Sequence, residues 1–308
     1  MSVELRGLNA TNPVGFLAAL GTLALAADAL GDEVLLGWRE RTPNWTPVMV
    51  SPHDLDRESL VNAVVEAHER RDLDAELGWE ADVMTLSRDA VRDLLSQRLS
   101  DDQDDAAAMV AACAAELPLR RGPEDRVAYT PFRLIPRVGR ARFLATAHAL
   151  SEAHGNHERV AHALFEPWRY EKGNNLRWDP GATIPARAYT AEAPTHFGPL
   201  AVPGAMLLAV AGLRFFPLLL AHGQGACRGF GYARDRLVWP IWRDPLSQRA
   251  TRILLGLPEL HADDPDHAML DRHGVVARLV ATRERLGGDV EMLSWGNPVG
   301  LDEDLASR

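Results

Sequence analysis

Lysine is almost missing from this sequence. Of 33 basic residues in a chain of 308, only Lys172 is a lysine and the rest are arginines. A GC-rich genome produces that bias by itself, so it carries little functional weight, although arginine is the better residue for forked phosphate contacts. Cysteine is scarce too. Cys113 and Cys227 are the only two, which excludes a disulfide framework, and no CxxC pair offers a zinc site. HExxH, a GxSxG nucleophile elbow and a Walker A run are all lacking, so no familiar metal, acyl-transfer or nucleotide chemistry announces itself. An uninterrupted apolar run of membrane-spanning length is also wanting. Val14 to Ala27 resembles a leader with an Ala-rich cleavage region, but Glu4 accompanies Arg6 ahead of it, Asn12-Pro13 opens it and Asp28 closes it. Asparagine at a cap followed by proline at the first helical position starts a helix, because proline has no N–H to leave unpaired there. Ala205 to Ala221 is interrupted by Arg214 and Pro217. Both runs read as buried helices of a soluble, cytoplasmic protein.

What is present is an ordinary globular mixture, 46% apolar and 25% charged, with a length that suggests two domains and ample core. The net charge of −10 hides a strong asymmetry. Residues 1–125 carry a net −13, residues 126–258 a net +9, and residues 259–308 a net −6. Fifteen of the 20 aromatic residues, including all four tyrosines, fall in the basic block. Blocks of opposite sign imply faces with different partners. The division expected is an acidic α+β part, 1–125, followed by a basic, aromatic-rich α+β part, 126–308, that ends in helices.

Periodicity and capping signals give an α+β class, with mixed small sheets and several packed helices, predominantly helical towards the C-terminus. Strands are expected at Ser2–Leu8 and Glu33–Trp38, flanking the Pro13 helix. Helices follow at Asp54–Arg70, at Ser87–Leu99 with Ser87 as cap, and at Ala106–Ala115 behind the acidic step Asp101, Asp102, Asp104, Asp105. That step reads as a solvated helix start, since adjacent acids on one stretch of chain do not converge on a metal. Residues 118–137 are a proline-punctuated connector or a set of short extended pieces. Helices at Arg140–Ala153 and Asn156–Phe165 precede a Pro/Gly-rich stretch, 167–204, with a short extended run at Ile184–Thr190. Beyond the buried helix at 205–220 come strands Cys227–Tyr232 and Leu237–Trp242, helices Pro245–Gly256 and Pro265–Leu286, and a last strand Val290–Trp295.

Candidate chemistry is thin. His154 and His157 have an i, i+3 spacing, but Gly155-Asn156 breaks the helix that would aim both rings at one metal, so a surface or helix-end role is the simpler reading. No metal and no cofactor is expected. Gly223, Gly225, Gly229 and Gly231 do not fit GxGxxG, and they follow a helix rather than a strand. A plain Gly-rich hairpin and a loop approaching phosphate through Arg228, Arg234 and Arg236 both remain open. The most suggestive stretches are basic and aromatic together. Arg126, Arg133, Arg137, Arg140 and Arg142 interleave with Tyr129, Phe132 and Phe143. Arg169, Lys172, Asn174 and Arg177 lie among Trp168, Tyr170 and Trp178. Arginines neutralise phosphates and aromatic faces stack bases. The same rings serve equally well as core.

A series of motifs, in order over about 240 residues, adds a resemblance. Asn12-Pro13-Val14-Gly15-Phe16-Leu17-Ala18-Ala19-Leu20-Gly21, Trp45-Thr46-Pro47-Val48, Thr130-Pro131-Phe132-Arg133 and Phe165-Glu166-Pro167-Trp168-Arg169-Tyr170 are four of them. Leu176-Arg177-Trp178-Asp179-Pro180, Leu213-Arg214-Phe215-Phe216-Pro217, Gly229-Phe230-Gly231 and Trp239-Pro240-Ile241-Trp242 continue the series. Together they resemble Cascade large-subunit-like proteins of type I-G (formerly I-U) CRISPR systems. The resemblance implies a non-catalytic component of an RNA-guided surveillance complex, with guide RNA, target DNA and other effector subunits as partners, a recruited helicase-nuclease as a further one, and no membrane. In such complexes base pairing reads sequence while protein reads backbone shape. Placement of charge and rings then nominates Arg133, Arg137, Arg140, Arg142, Arg169, Lys172, Asn174, Arg177, Trp178, Arg228, Arg234 and Arg236 as the nucleic-acid surface. A nuclease or hydrolase acting on nucleic acid, and a protein-interaction scaffold whose basic third docks an acidic partner, are the rival readings.

Overall fold

The computed structural model describes residues 1–42, 44–79, 83–101, 103–118, 127–134, 143–154, 156–182, 199–221, 224–230, 235–287 and 290–299. Helices and several small antiparallel sheets alternate along it, a mixed α+β fold as the patterning implies. Its centre is α1 (Pro13–Leu30), which opens at the expected place. The Asn12 side chain accepts from the Val14 N–H at 2.9 Å, and Pro13 takes the first helical position. Fifteen consecutive residues, Pro13 to Ala27, are buried because α1 is covered on all sides. Among the described residues it is the one helix long and apolar enough to cross a membrane, and its burial is that of a core helix.

The principal cover of α1 is α8 (Pro203–Ala211), continued by a 3-10 turn at Gly212–Phe215. The crossing is a glycine contact. A β-carbon on Gly21 would run into the Leu208 carbonyl, and one on Gly212 into the Leu17 carbonyl. Here close backbone approach requires glycine. α2 (Arg57–Glu69) packs on another side of α1, starting from a capping box in which Asp56 and Ser59 satisfy each other's backbone N–H.

A four-stranded antiparallel sheet in the order β1-β3-β2-β11 is built from β1 (Ser2–Glu4), β2 (Leu35–Arg41), β3 (Asn44–Val50) and β11 (Leu246–Ser247). β3 has no counterpart in the sequence reading, because Pro47 inside a run argues against a central strand. Pairing with β1 ends at Glu4 opposite Val48, and the Leu5 N–H donates to the Pro47 carbonyl, so the missing N–H falls at the end of that ladder.

The second sheet contains β10 (Arg236–Trp242), β12 (Val275–Gly287), β13 (Val290–Leu293) and β14 (Asn297–Pro298). Trp239 and Trp242 on β10 join it to the first sheet. Their indoles donate to the carbonyls of Ala10 (3.0 Å) and Leu36 (2.9 Å), and they pack with Phe16 and Trp38 at centroid distances of 5.5 and 5.1 Å. One hydrophobic cluster holds Phe16 and Leu60 together with Trp178, Leu208 and Trp239.

The tail corrects the expectation of a mainly helical end. In place of a helix over Pro265–Leu286 there is one short helix, His267–Arg272, followed by the 13-residue β12. Gly274 at φ +77° stops the helix. Val275, Ala277, Leu279 and Ala281 then line a buried face at period two. The expected helix at Pro245–Gly256 is likewise split into β11 and α9 (Gln248–Leu254), with Ser247 as cap. The expected run Ile184–Thr190 lies outside the described residues.

Candidate functional site: a cleft of paired charges beside a strained turn

α7 (His157–Phe165) begins where Asn156 accepts from the Arg159 N–H at 2.9 Å. It ends at Glu166-Pro167, which leads the chain away extended. Trp168 folds back so that its indole N–H donates to the Ala163 carbonyl at 3.1 Å, fixing the direction of the following residues. Arg169 and Tyr170 then stand over the face of α7 that carries Arg159 and His162, one turn apart. The start of α8 closes the far side, with Gly204 pressed against the Arg159 carbonyl. The result is a cleft of about 390 Å³ lined by Glu158, Arg159, His162, Arg169, Tyr170 and Glu171, with Pro203 and Gly204 behind. β6 (Glu171–Lys172) pairs with β7 (Leu200–Ala201) at its edge and leaves Lys172 exposed.

Charges in this cleft are exchangeable. Arg169 pairs with Glu166 at 3.0 Å and donates to His162 Nε2 at 3.2 Å; Arg159 faces Glu171 at 3.6 Å. Such exposed pairs are worth about 0–1 kcal/mol, so an incoming anion displaces them at little cost. Lys172 has no carboxylate partner among the described residues. Tyr170 offers a half-buried ring whose hydroxyl is bonded to Asp179. Burial pushes the Tyr170 hydroxyl well above its usual range, with the Asp179 charge adding to it. Burial also raises the Asp179 carboxyl, against the donors that hold it, Asn12 (2.8 Å), the Gly181 N–H (2.8 Å) and Tyr170. A polar anchor thus ties the cleft to the start of α1.

The next turn is strained. Leu176 (φ +49°) and Arg177 (φ +63°) are consecutive left-handed residues without being glycine, a conformation costing of order 1 kcal/mol or more per residue. Two asparagines impose it. Asn174 Oδ1 accepts from the Leu176 N–H and Asn175 Oδ1 from the Arg177 N–H, both at 2.9 Å, while Asn175 Nδ2 donates to the Leu200 carbonyl. Asn174 therefore serves the backbone. Arg177 is half-buried with no carboxylate partner among the described residues, and burial lowers its pKa.

Trp178 overturns its assignment as a stacking platform. It is 0% exposed, its indole N–H donates to the Phe132 carbonyl at 2.7 Å, and its ring packs on Phe132 and Phe143. No face is left for a base. Of the other nominated residues, Arg236 is paired with Asp263, Arg133 is half-buried after Phe132, and Arg228 lies at the end of β9 (Gln224–Cys227), half-buried. Arg137, Arg140, Arg142 and Arg234 lie outside the described residues. The cleft thus collects Arg169, with Lys172 beside it, and adds Arg159, His162 and Tyr170. The i, i+3 spacing of Arg159 and His162 on a capped helix was the signal for the first two.

A second cleft, about 400 Å³, is lined by Asp28, Arg70, Arg71, Asp72, Glu76, Gln103, Asp104 and Asp105, with Ala67 and Ala106. The acidic step is here more than a solvated cap. Asp104 and Asp105 open α5 (Asp104–Cys113), and Asp105 with Asp28 pairs the fully buried Arg214 side chain. Among the described residues no group of histidine, cysteine and acidic side chains could hold a metal ion. Both cysteines are buried and outside any disulfide, Cys227 donating to the Phe216 carbonyl, and burial raises the Cys113 thiol. No protein-family model matches the chain, and no curated protein sequence matches it either.

Proposed function

We propose that the protein is a non-catalytic, large-subunit-like component of a type I CRISPR surveillance complex, acting in the cytoplasm against invading nucleic acid through contacts to the backbone of guide RNA or target DNA. The ordered motif resemblance supports membership of the complex. The observation that carries the contact reading is the cleft at Arg169, with Lys172 and Arg177 following it along the chain. In a chain of net −10, these two cations lack carboxylate partners among the described residues, and Arg169 is held by an exposed pair with Glu166 and by His162. Unpaired cations, of which Arg177 is partly desolvated, favour an external anion, and Tyr170 adds a ring. The binding class implied is sequence-tolerant, with phosphate neutralisation dominant.

The experiment is a salt titration of labelled single-stranded RNA and DNA binding by fluorescence anisotropy, on the parent and on Arg169→Ala/Lys172→Ala. The double variant should bind more weakly across sequences, and its log–log salt slope should fall by about 0.7–0.9 for each contact removed. Complex purified from the native host should carry small guide RNA. Undiminished binding by the folded double variant, or cleavage of nucleic acid with magnesium or manganese that survives repurification, would overturn the proposal.

A further inference from the structure

Arg228 and Arg252 are anchored on the same three residues. The Arg228 backbone N–H donates to the Pro217 carbonyl at 3.1 Å, and the Arg252 guanidinium lies 5.5 Å over the ring of Phe215, itself fully buried. Arg228 comes from the end of β9 and Arg252 from α9, so two distant elements deliver two cations to one place. The Nε and Nη2 edge of Arg228 faces Gly256, where an added β-carbon would touch both nitrogens at 3.4 Å.

Neither side chain has the partner its burial calls for. Both are half-buried, and both Nε atoms are shielded from solvent with no hydrogen-bond acceptor. Neither makes an ion pair among the described residues. None of the acids whose charge reaches Arg252 (Asp105, Asp28 and Asp32) pairs with it, and the first two are held by Arg214. Burial first and the Arg252 charge second lower the Arg228 pKa, while burial first and the Arg214 charge second lower that of Arg252, yet arginine stays charged. Like charges brought together under partial burial without a carboxylate are costly unless an anion completes them.

We infer that Arg228 and Arg252 form a site for one tetrahedral oxyanion of the phosphate class, which in the functional setting is a backbone phosphodiester. Two planar forks suit such an anion, since each can give two parallel N–H bonds to its oxygens. The site extends the proposed nucleic-acid surface to Arg252. It rests on that reading only for the source of the phosphate.

Two arms test it on the full chain. In the first, melting curves are recorded with inorganic phosphate against chloride at equal ionic strength. Phosphate should raise the Tm of the parent and of Arg249→Gln, an exposed arginine on the same helix, and not that of Arg228→Gln/Arg252→Gln. Without phosphate the double variant should melt at or above the parent, because a repulsion has been removed. Arg252→Lys, which keeps the charge and loses the fork, should show a reduced phosphate shift.

In the second arm, labelled single-stranded RNA or DNA should bind each single Gln variant about tenfold more weakly than the parent, with the salt slope reduced by about 0.7–0.9. A double variant that keeps the phosphate shift, or a parent without one, overturns the site. Phosphate stabilisation through these arginines with no nucleic-acid binding by any form supports the site and removes the functional reading. Nucleic acid bound equally by parent and double variant, with no phosphate shift in the parent, does the reverse.

Discussion

His68 should make the protein acid-sensitive well above the carboxylate range. It sits in the last turn of α2, 6% exposed. Nε2–H donates to the Ser151 carbonyl at 2.9 Å, which leaves Nδ1 as the acceptor facing Arg71 Nη1 at 3.3 Å. Arg71 cannot swing away, because its other nitrogens hold the buried Glu76 at 3.0 and 2.5 Å. Burial first, and the Arg71 charge second, lower the His68 pKa from 6.5 to about 4, against the Ser151 hydrogen bond and Glu76. The unfolded chain takes up this proton as pH falls through 6.5, whereas the folded protein resists it down to about 4. In that window the unfolded state binds more protons, so stability falls with falling pH. At 1.36 kcal/mol per pKa unit the full loss is about 3 kcal/mol, a large share of ordinary domain stability. His68→Gln keeps a donor for Ser151 and cannot titrate. Urea unfolding of parent and variant across the window isolates this residue, because shifts at His261, Asp28 and Asp179 occur in both proteins and cancel. The parent should lose about 3 kcal/mol more than the variant between neutral pH and about 4. Parallel curves, or a folded-state His68 resonance titrating near 6.5, would refute the reasoning.

Trp178→Ala should cost about 3–5 kcal/mol in denaturant unfolding, whereas a platform residue would leave stability unchanged and weaken only binding. Asp28→Asn/Asp105→Asn leaves the Arg214 charge buried without a carboxylate and should destabilise by about 3–5 kcal/mol; a loss below 1 kcal/mol would mean that water reaches Arg214. Arg177→Gly relieves a left-handed arginine and should raise stability by up to about 1 kcal/mol. In the anisotropy assay it should lower nucleic-acid affinity, and a gain or tie there would remove Arg177 from the contact surface.

Local signals were the legible part of this fold. Asn12-Pro13, Ser87 and Asn156 each mark a helix start within a residue of where it occurs, because a cap depends on a few neighbouring atoms. β12 was misread since Val275 to Leu286 also supports a helical spacing, and only pairing with β10 and β13 decides otherwise. Trp178 shows the limit of spacing for a site. Its neighbours Arg177 and Asp179 look the same in sequence whether the ring faces Phe132 or solvent, and Phe132 is 46 residues away. Arg252 was missed for a related reason: its approach to Arg228 exists only once the chain brings both to the segment Phe215–Pro217.

The glycine crossing of α1 and α8 has a consequence for how the chain comes into being. Gly21 leaves the ribosome long before Gly212, and at the usual pace of elongation the interval is roughly 10–40 s. Throughout it, the side of the buried α1 that will meet α8 has no permanent partner. The nascent amino-terminal part must therefore wait, sheltered by a chaperone or by transient contacts, and a fragment cut before α8 should be captured by chaperones or aggregate. The rate-limiting event of folding is then the arrival of residues 203–215. Variants that loosen this crossing should lower the yield of soluble protein more than their effect on equilibrium stability suggests.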